Sequence, residues 1–152
     1  MSLGNLTTLA TWVAGLTMTG VTKKYDLSNI PDAMQPMDVP ALLPDVPYMS
    51  NMQFTRLSYR VATVGRSKEL QYDIGYVLFY APVAQGVTLF EQYAGMADLW
   101  GVVLNAFISN ETPNGAYDIY PTGTPLFGVL ADAAGTPYFA VRFTLHVQEF
   151  SS

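Results

Sequence analysis

The side chains that could support chemistry are few, and His146 is the only histidine in the chain. A Ser-His-Asp triad would have to use it as the general base. No Gly-x-Ser-x-Gly turn, which would present a nucleophilic serine, occurs in the sequence. The alternation of the surrounding residues places His146 on the polar side of a strand. We therefore interpret His146 as a surface or interface residue and predict no catalytic residue.

Three acidic residues, Glu111, Asp118 and Asp132, lie near predicted turns in the C-terminal third. A pair of carboxylates could hydrolyse a glycoside, and a cluster could bind a cation. Acidic residues at turns more often accept hydrogen bonds from the local backbone. The spacing of a calcium-binding EF-hand is absent, and without cysteine no zinc-thiolate site can form. We therefore predict no metal, no cofactor and no enzymatic activity.

The ten tyrosines, together with Arg56, Arg60 and Arg66, could form a stacking platform for single-stranded nucleic acid. Such binding needs a clustered basic surface. The chain has seven Lys and Arg residues, a net charge of −5, and Lys23-Lys24 as its one basic pair. We predict no direct sequence-specific binding to nucleic acid. Arg56 and Arg60 share one face of a predicted strand and could instead contact a phosphate or carboxylate of another subunit.

The composition is unusually poor in charge. Half of the residues are hydrophobic and 12% are charged, whereas about 25% is typical. A chain of 152 residues with this composition leaves apolar surface in water, and such surface is typical of interfaces. We therefore predict a homo-oligomer, with a well-filled core under a neutral surface as the alternative. No apolar run reaches the ~18–20 residues of a membrane span, and the N-terminus lacks a basic segment, so we expect a soluble chain without a signal peptide or membrane contact.

Hydrophobic periodicity predicts a single α+β domain over residues 1–152, with two helices packed on a mainly antiparallel sheet. A Thr88–Glu91 capping box begins the second helix, and the turn at residues 132–137 precedes the last strand. The predicted helices span residues 5–18 and 88–108. The predicted strands span residues 21–25, 52–64, 69–81, 116–120, 126–131 and 138–150, with a further short strand in VPALLPDV (39–46).

Two of these elements show clear faces. In the second helix, apolar residues recur at spacings of three and four and form one stripe: Leu89, Tyr93, Met96, Trp100, Val103 and Phe107. In the last strand, alternate residues are predicted to face the core: Phe139, Val141, Phe143, Leu145 and Val147. The others are predicted to face outward: Tyr138, Ala140, Arg142, Thr144, His146 and Gln148.

Residues 28–49 form a proline-rich arm. Its five prolines exclude a helix and a central strand, because each removes a backbone donor. Its apolar residues are nevertheless too many for a flexible linker. We expect the arm to lie extended along an apolar surface, of this domain or of a neighbour, and to supply a short edge strand. The predicted oligomer interface consists of Pro36, Met37, Val39, Pro40, Leu42, Arg56 and Arg60.

Three segments follow an N-terminal helix and a short strand in a characteristic order: IPD…DVPALL (30–43), MADLWGVVLNAF (96–107) and GTPYFAVRFTLHVQEF (135–150). Together they resemble the tail terminator and minor tail proteins of long-tailed, lambda-like bacteriophages and prophages. The resemblance implies a non-catalytic structural protein that assembles into a hexameric ring. That ring caps the tail tube, stops its polymerisation and contacts the head-completion protein.

The resemblance further implies that the chain is made in the host cytoplasm and ends in the virion tail. The arm would then lie along the neighbouring subunit or the sheet edge. The same subunit plan serves other phage neck and tail components. Two other functions stay open: a small ligand-binding or enzymatic domain with a concave polar pocket, and an adaptor recognised through its edge strands.

Overall fold

The computed structural model describes residues 6–31, 33–45, 58–64, 67–109 and 117–150. Two helices pack on a mostly antiparallel sheet of six strands within these ranges, and the predicted α+β class is confirmed. The helices are α1 (Leu6–Ala14) and α2 (Leu89–Ser109). The strands are β1 (Lys23–Lys24), β2 (Ala41–Pro44), β3 (Ser58–Val64), β4 (Ser67–Pro82), β5 (Tyr117–Ala131) and β6 (Pro137–Phe150).

Strand β4 organises the sheet. It pairs along its length with β6, which pairs in turn with β5. On its other side, β4 pairs with β3 through residues 67–73 and with β2 through residues 76–79. Strand β1 adds to β2 in parallel, and every other pairing is antiparallel. The four-stranded part β3-β4-β6-β5 is therefore a continuous antiparallel sheet.

Both helices cover the front face of this sheet. Thr88 caps the first turn of α2, which is the threonine half of the predicted capping box, because its Oγ1 accepts the Glu91 N–H at 3.2 Å. Its apolar stripe faces the core, where Met96, Val103 and Phe107 are buried. Helix α1 ends at Ala14, earlier than predicted. The residues after it still enter the core with the predicted inward-facing residues of β6.

The back face of the sheet has a second core at its β2 end. Its buried members are Met34, Ala41, Leu43, Val77, Phe79, Tyr138 and Ala140. The prediction that Tyr138 and Ala140 face solvent is therefore wrong. They do point to the back of the sheet, but side chains from the proline-rich arm, Ile30, Met34 and Val39, cover this part of it. The arm thus packs on the sheet of its own chain.

The prediction that the arm supplies an edge strand is also wrong. Strand β2 lies between β1 and β4 and is buried along its length. Pro40 precedes the strand and Pro44 ends it. Between the two prolines lie Ala41, Leu42 and Leu43. They retain their N–H groups, so their backbone can form hydrogen bonds with the neighbouring strands on both sides. The prolines therefore bound an interior strand instead of preventing one.

The two strands predicted at 116–120 and 126–131 form the single strand β5. Its register against β6 shifts between Thr122 and Leu126, and Gly123 lies there with a φ of 73°. Such a bulge bends a strand without ending its pairing. Both halves pair with the same uninterrupted partner, which local sequence cannot show.

The turn between β5 and β6 holds the arm in place through Asp132. One carboxylate oxygen accepts hydrogen bonds from the Ala134 and Thr136 N–H groups, at 3.0 and 2.9 Å. The other accepts the Met34 N–H at 3.0 Å. The predicted role of Asp132 in local backbone bonding is confirmed, and it extends to a residue 98 positions away.

Candidate functional site

Outside the second core, no described residue covers the back face, and this surface is mainly polar, although it includes Leu126, which is 62% exposed opposite Arg142. Because side chains alternate along a strand, one face of β3, β4, β6 and β5 collects hydrophilic groups at this end of the sheet. We call this surface the polar face. It comprises Arg60, Glu69, Gln71, Asp73, Asp118, Tyr120, Thr122, Arg142, Thr144, His146 and Gln148, all exposed or half-buried.

His146 lies in the middle of the polar face, as its outward position in the sequence predicts. Its Nδ1 lies 2.7 Å from Oδ1 of Asp73, the residue directly opposite on β4. The imidazole ring also lies beside Tyr120, with 5.3 Å between ring centroids. A histidine oriented by a carboxylate is two thirds of a catalytic triad. Among the described side chains, however, no hydroxyl group bonds to His146. The Asp73–His146 pair joins β4 to β6, and the ring contact with Tyr120 extends this link to β5.

A neighbouring row of the polar face is held together by Glu69. Its Oε1 accepts a hydrogen bond from Gln71 Nε2 at 2.5 Å and another from Gln148 Nε2. Gln71 stands opposite Arg60 of β3, and Gln148 stands opposite Asp118 of β5. One row across four strands thus runs from an exposed cation to an exposed anion, with two amides between them.

A cleft of about 370 Å³ opens at the margin of the polar face, near the end of β2, and includes Arg142 and Thr144 of that face. Arg142 Nη2 lies 2.6 Å from Asp45 Oδ2, and Thr124 and Thr144 complete the polar lining. Asp45 approaches closely because its N–H donates to the Gly75 carbonyl at 2.9 Å. A Cβ at Gly75 would lie 3.2 Å from the Asp45 Cβ, so glycine permits this contact. The cleft could accept a small polar molecule.

Two further properties concern the described part of the chain. No group of three or more His, Cys, Asp or Glu side chains there could hold a metal ion. None of the helices in those ranges is both long and apolar enough to cross a membrane.

The sequence matches no family model and no curated protein. The resemblance to phage tail proteins therefore stays a prediction. What can be said of the site comes from its own side chains and their positions on the sheet.

The residues predicted as an oligomer interface occupy different environments. Pro36 and Met37 are exposed on the arm, and Met37 keeps 81% of its surface. Val39 and Pro40 are half-buried, and Val39 packs against the back core. Leu42 is 1% exposed within the front core, so its side chain offers no surface to a neighbour. This placement corrects the prediction for Leu42.

Of the two arginines of that prediction, the structure describes Arg60, which lies on β3. Arg60 is exposed on the polar face, and Arg56 lies outside the described residues, as do Arg66 and Glu111. Among the described residues, no ion pair joins Arg60 to the arm. Sequence reasoning missed the partners Asp45 and Asp73, because the strand register that pairs them with Arg142 and His146 leaves no local signal.

Proposed function

We propose that this chain is a structural protein of a phage tail, the terminator that forms a hexameric ring on the tail tube and joins it to the head-completion protein. It acts without catalysis. It is made in the host cytoplasm and ends in the virion tail. The order of segments in the sequence supports the proposal, and so does the distribution of apolar side chains on the surface.

The observation that carries the proposal is that large apolar side chains are exposed near both ends of α2 and at both edges of the sheet. Phe90 and Ile108 are 90% and 67% exposed near opposite ends of α2, about 27 Å apart along the helix. Val61 is exposed on β3 at one edge of the sheet, and Val129 is exposed on β5 at the other edge. A ring subunit between a tube and a head has neighbours on several sides, and each contact removes such groups from water.

Light scattering coupled to size exclusion over a concentration series tests the proposal. We expect a discrete species near six times 16.6 kDa. Tail tubes of the phage that encodes the chain should show a cap at one end by electron microscopy, and polymerising tube protein should stop growing when the chain is added. A protein that stays monomeric and leaves tube growth unchanged would refute the proposal.

The cleft at Arg142 and Asp45 favours a second candidate, a small ligand-binding domain. Converging polar groups in a concave site are typical of such domains, and this cleft presents a guanidinium, a carboxylate and two threonine hydroxyls. The same experiment separates the two functions. A monomer at every concentration that neither caps tubes nor stops their growth would favour ligand binding.

A further inference from the structure

Within the part of the chain that the structure describes, the antiparallel sheet ends in two unpaired edges. Among the described residues, nothing pairs with the outer side of β3 or with the outer side of β5. An unpaired edge presents N–H and C=O groups to another strand. Because β3, β4, β6 and β5 alternate in direction, β3 and β5 run in opposite directions. Side-by-side copies in the same orientation would therefore bring β5 of one against β3 of the next as an antiparallel pair.

The two edges also carry opposite charges in the same row of residues across the sheet. Arg60 on β3 and Asp118 on β5 belong to one row, through Gln71 and Gln148. Both side chains are exposed, and neither forms an ion pair with another described residue. Opposite charges on facing strands stabilise pairing, and like charges directly opposite each other destabilise it.

We propose that a second copy of this chain occupies these edges, with β5 of one copy paired to β3 of the next and Asp118 facing Arg60. The inference rests on the proposed ring and names its lateral contact. A two-fold contact of β3 with β3 centred on Arg60 would set two guanidinium groups side by side, and β5 with β5 would do the same with two carboxylates. The charges therefore select the head-to-tail arrangement, which closes into a ring when the rotation between copies allows it.

Charge reversal tests the contact. Arg60→Asp and Asp118→Arg should each raise the concentration needed for assembly by about tenfold or more, because each places like charges opposite each other. The double variant should assemble within about threefold of the natural protein, because the pair is restored with its signs exchanged. An equimolar mixture of the two single variants should also assemble, since an alternating ring opposes unlike charges at every contact.

Two control variants make the same charge changes elsewhere. Lys23→Asp lies on β1 and Asp98→Arg on α2, and both positions are exposed. They should assemble as the natural protein does. The proposal is overturned when either single reversal behaves like its control, or when the double variant and the mixture fail to recover.

Disulfide trapping gives an independent measurement, because the natural chain contains no cysteine. Positions 60 and 118 are three strand spacings apart within one chain, about 14 Å, which is too far for an internal disulfide. Arg60→Cys/Asp118→Cys should therefore give a covalent ladder up to the hexamer under mild oxidation, whereas each single cysteine variant should stop at dimers.

The trapping is carried out on the free protein and on protein bound to tail tubes. Rings or capped tubes without a ladder would overturn the edge contact and leave the tail function standing. A protein that gives no ladder, forms no ring and does not act on tubes would overturn both.

Discussion

Two buried tyrosine hydroxyls differ in their hydrogen bonding. Tyr138 donates to the Met34 carbonyl at 2.8 Å and so helps to hold the arm. The Tyr76 hydroxyl is buried without a hydrogen-bond partner among the described residues, although its ring packs on Phe143. Burial raises the pKa of both hydroxyls above the usual value, and nearby carboxylates add to the effect. Replacing each tyrosine by phenylalanine therefore compares what a bonded and an unbonded buried hydroxyl contribute to the free energy of unfolding.

Tyr76→Phe should leave the free energy of unfolding at pH 7 unchanged or raise it by up to about 1 kcal/mol, because it removes a buried polar group without a bond. Below pH 10 the tyrosine is neutral in both states. Above pH 10 it ionises in the unfolded chain while its raised pKa keeps it neutral in the folded protein. The free energy of unfolding of the natural protein therefore falls there, by up to about 1.4 kcal/mol per pH unit from this group. Urea unfolding from pH 7 to 11 should show a shallower fall for Tyr76→Phe.

Tyr138→Phe is the matched control at neutral pH, since it removes the same atom from a bonded site. It should lower the free energy of unfolding by about 1–3 kcal/mol, because the Met34 carbonyl loses its donor. Equal destabilisation by the two variants at pH 7 would contradict the assignment of Tyr76 as unbonded.

The proline-rich arm contains both buried and exposed residues. Met34 is 4% exposed in the back core and is held by its own backbone to Asp132 and Tyr138. Met37 lies in the 3₁₀ turn Pro36–Asp38 and is almost fully exposed. The arm is thus part of the core at Met34 and part of the surface at Met37, three positions away.

Met34→Ala should lower the free energy of unfolding by about 2–5 kcal/mol, because it leaves a cavity in the back core. Met37→Ala makes the same chemical change on the surface and should stay within about 0.5 kcal/mol. Thermal and urea unfolding measure both. Similar losses for the two variants would show that Met37 is also packed, and negligible loss for Met34→Ala would show that the arm does not cover the sheet.

The whole molecule combines few charges with exposed apolar side chains on α2 and at both sheet edges, and Phe90 is the most exposed of these. Phe90→Asp should leave thermal stability unchanged, because the side chain is in water and an acidic residue is favourable in the first turn of a helix. On the proposed function, it should weaken ring formation or tube capping by about tenfold or more, since an apolar contact is replaced by a charge.

Asn105→Asp is the control for this change, because it adds the same charge at another exposed position of α2. Sedimentation of tubes with bound protein and light scattering measure the two activities. If the Phe90→Asp variant assembles and caps tubes as well as the Asn105→Asp variant does, Phe90 does not take part in the proposed contacts.

The sequence by itself determined the elements and most of their faces. Periodicity and capping depend on neighbours within a few residues, so the Thr88 cap, the α2 stripe and the polar placement of His146 could be predicted before the strands were paired. Of the candidate site, the sequence indicated that Arg60 and His146 each lie on the polar side of their own strand.

Only the tertiary structure decided what lies against each face. The cover over Tyr138 and Ala140 comes from residues about 100 positions earlier in the chain, and alternation cannot distinguish a covered face from an open one. Register likewise decided that Asp73 meets His146, and that Arg60 and Asp118 end one row. The physical reason is that these relations depend on how separate strands align, whereas periodicity reports only which side of a single strand a residue occupies.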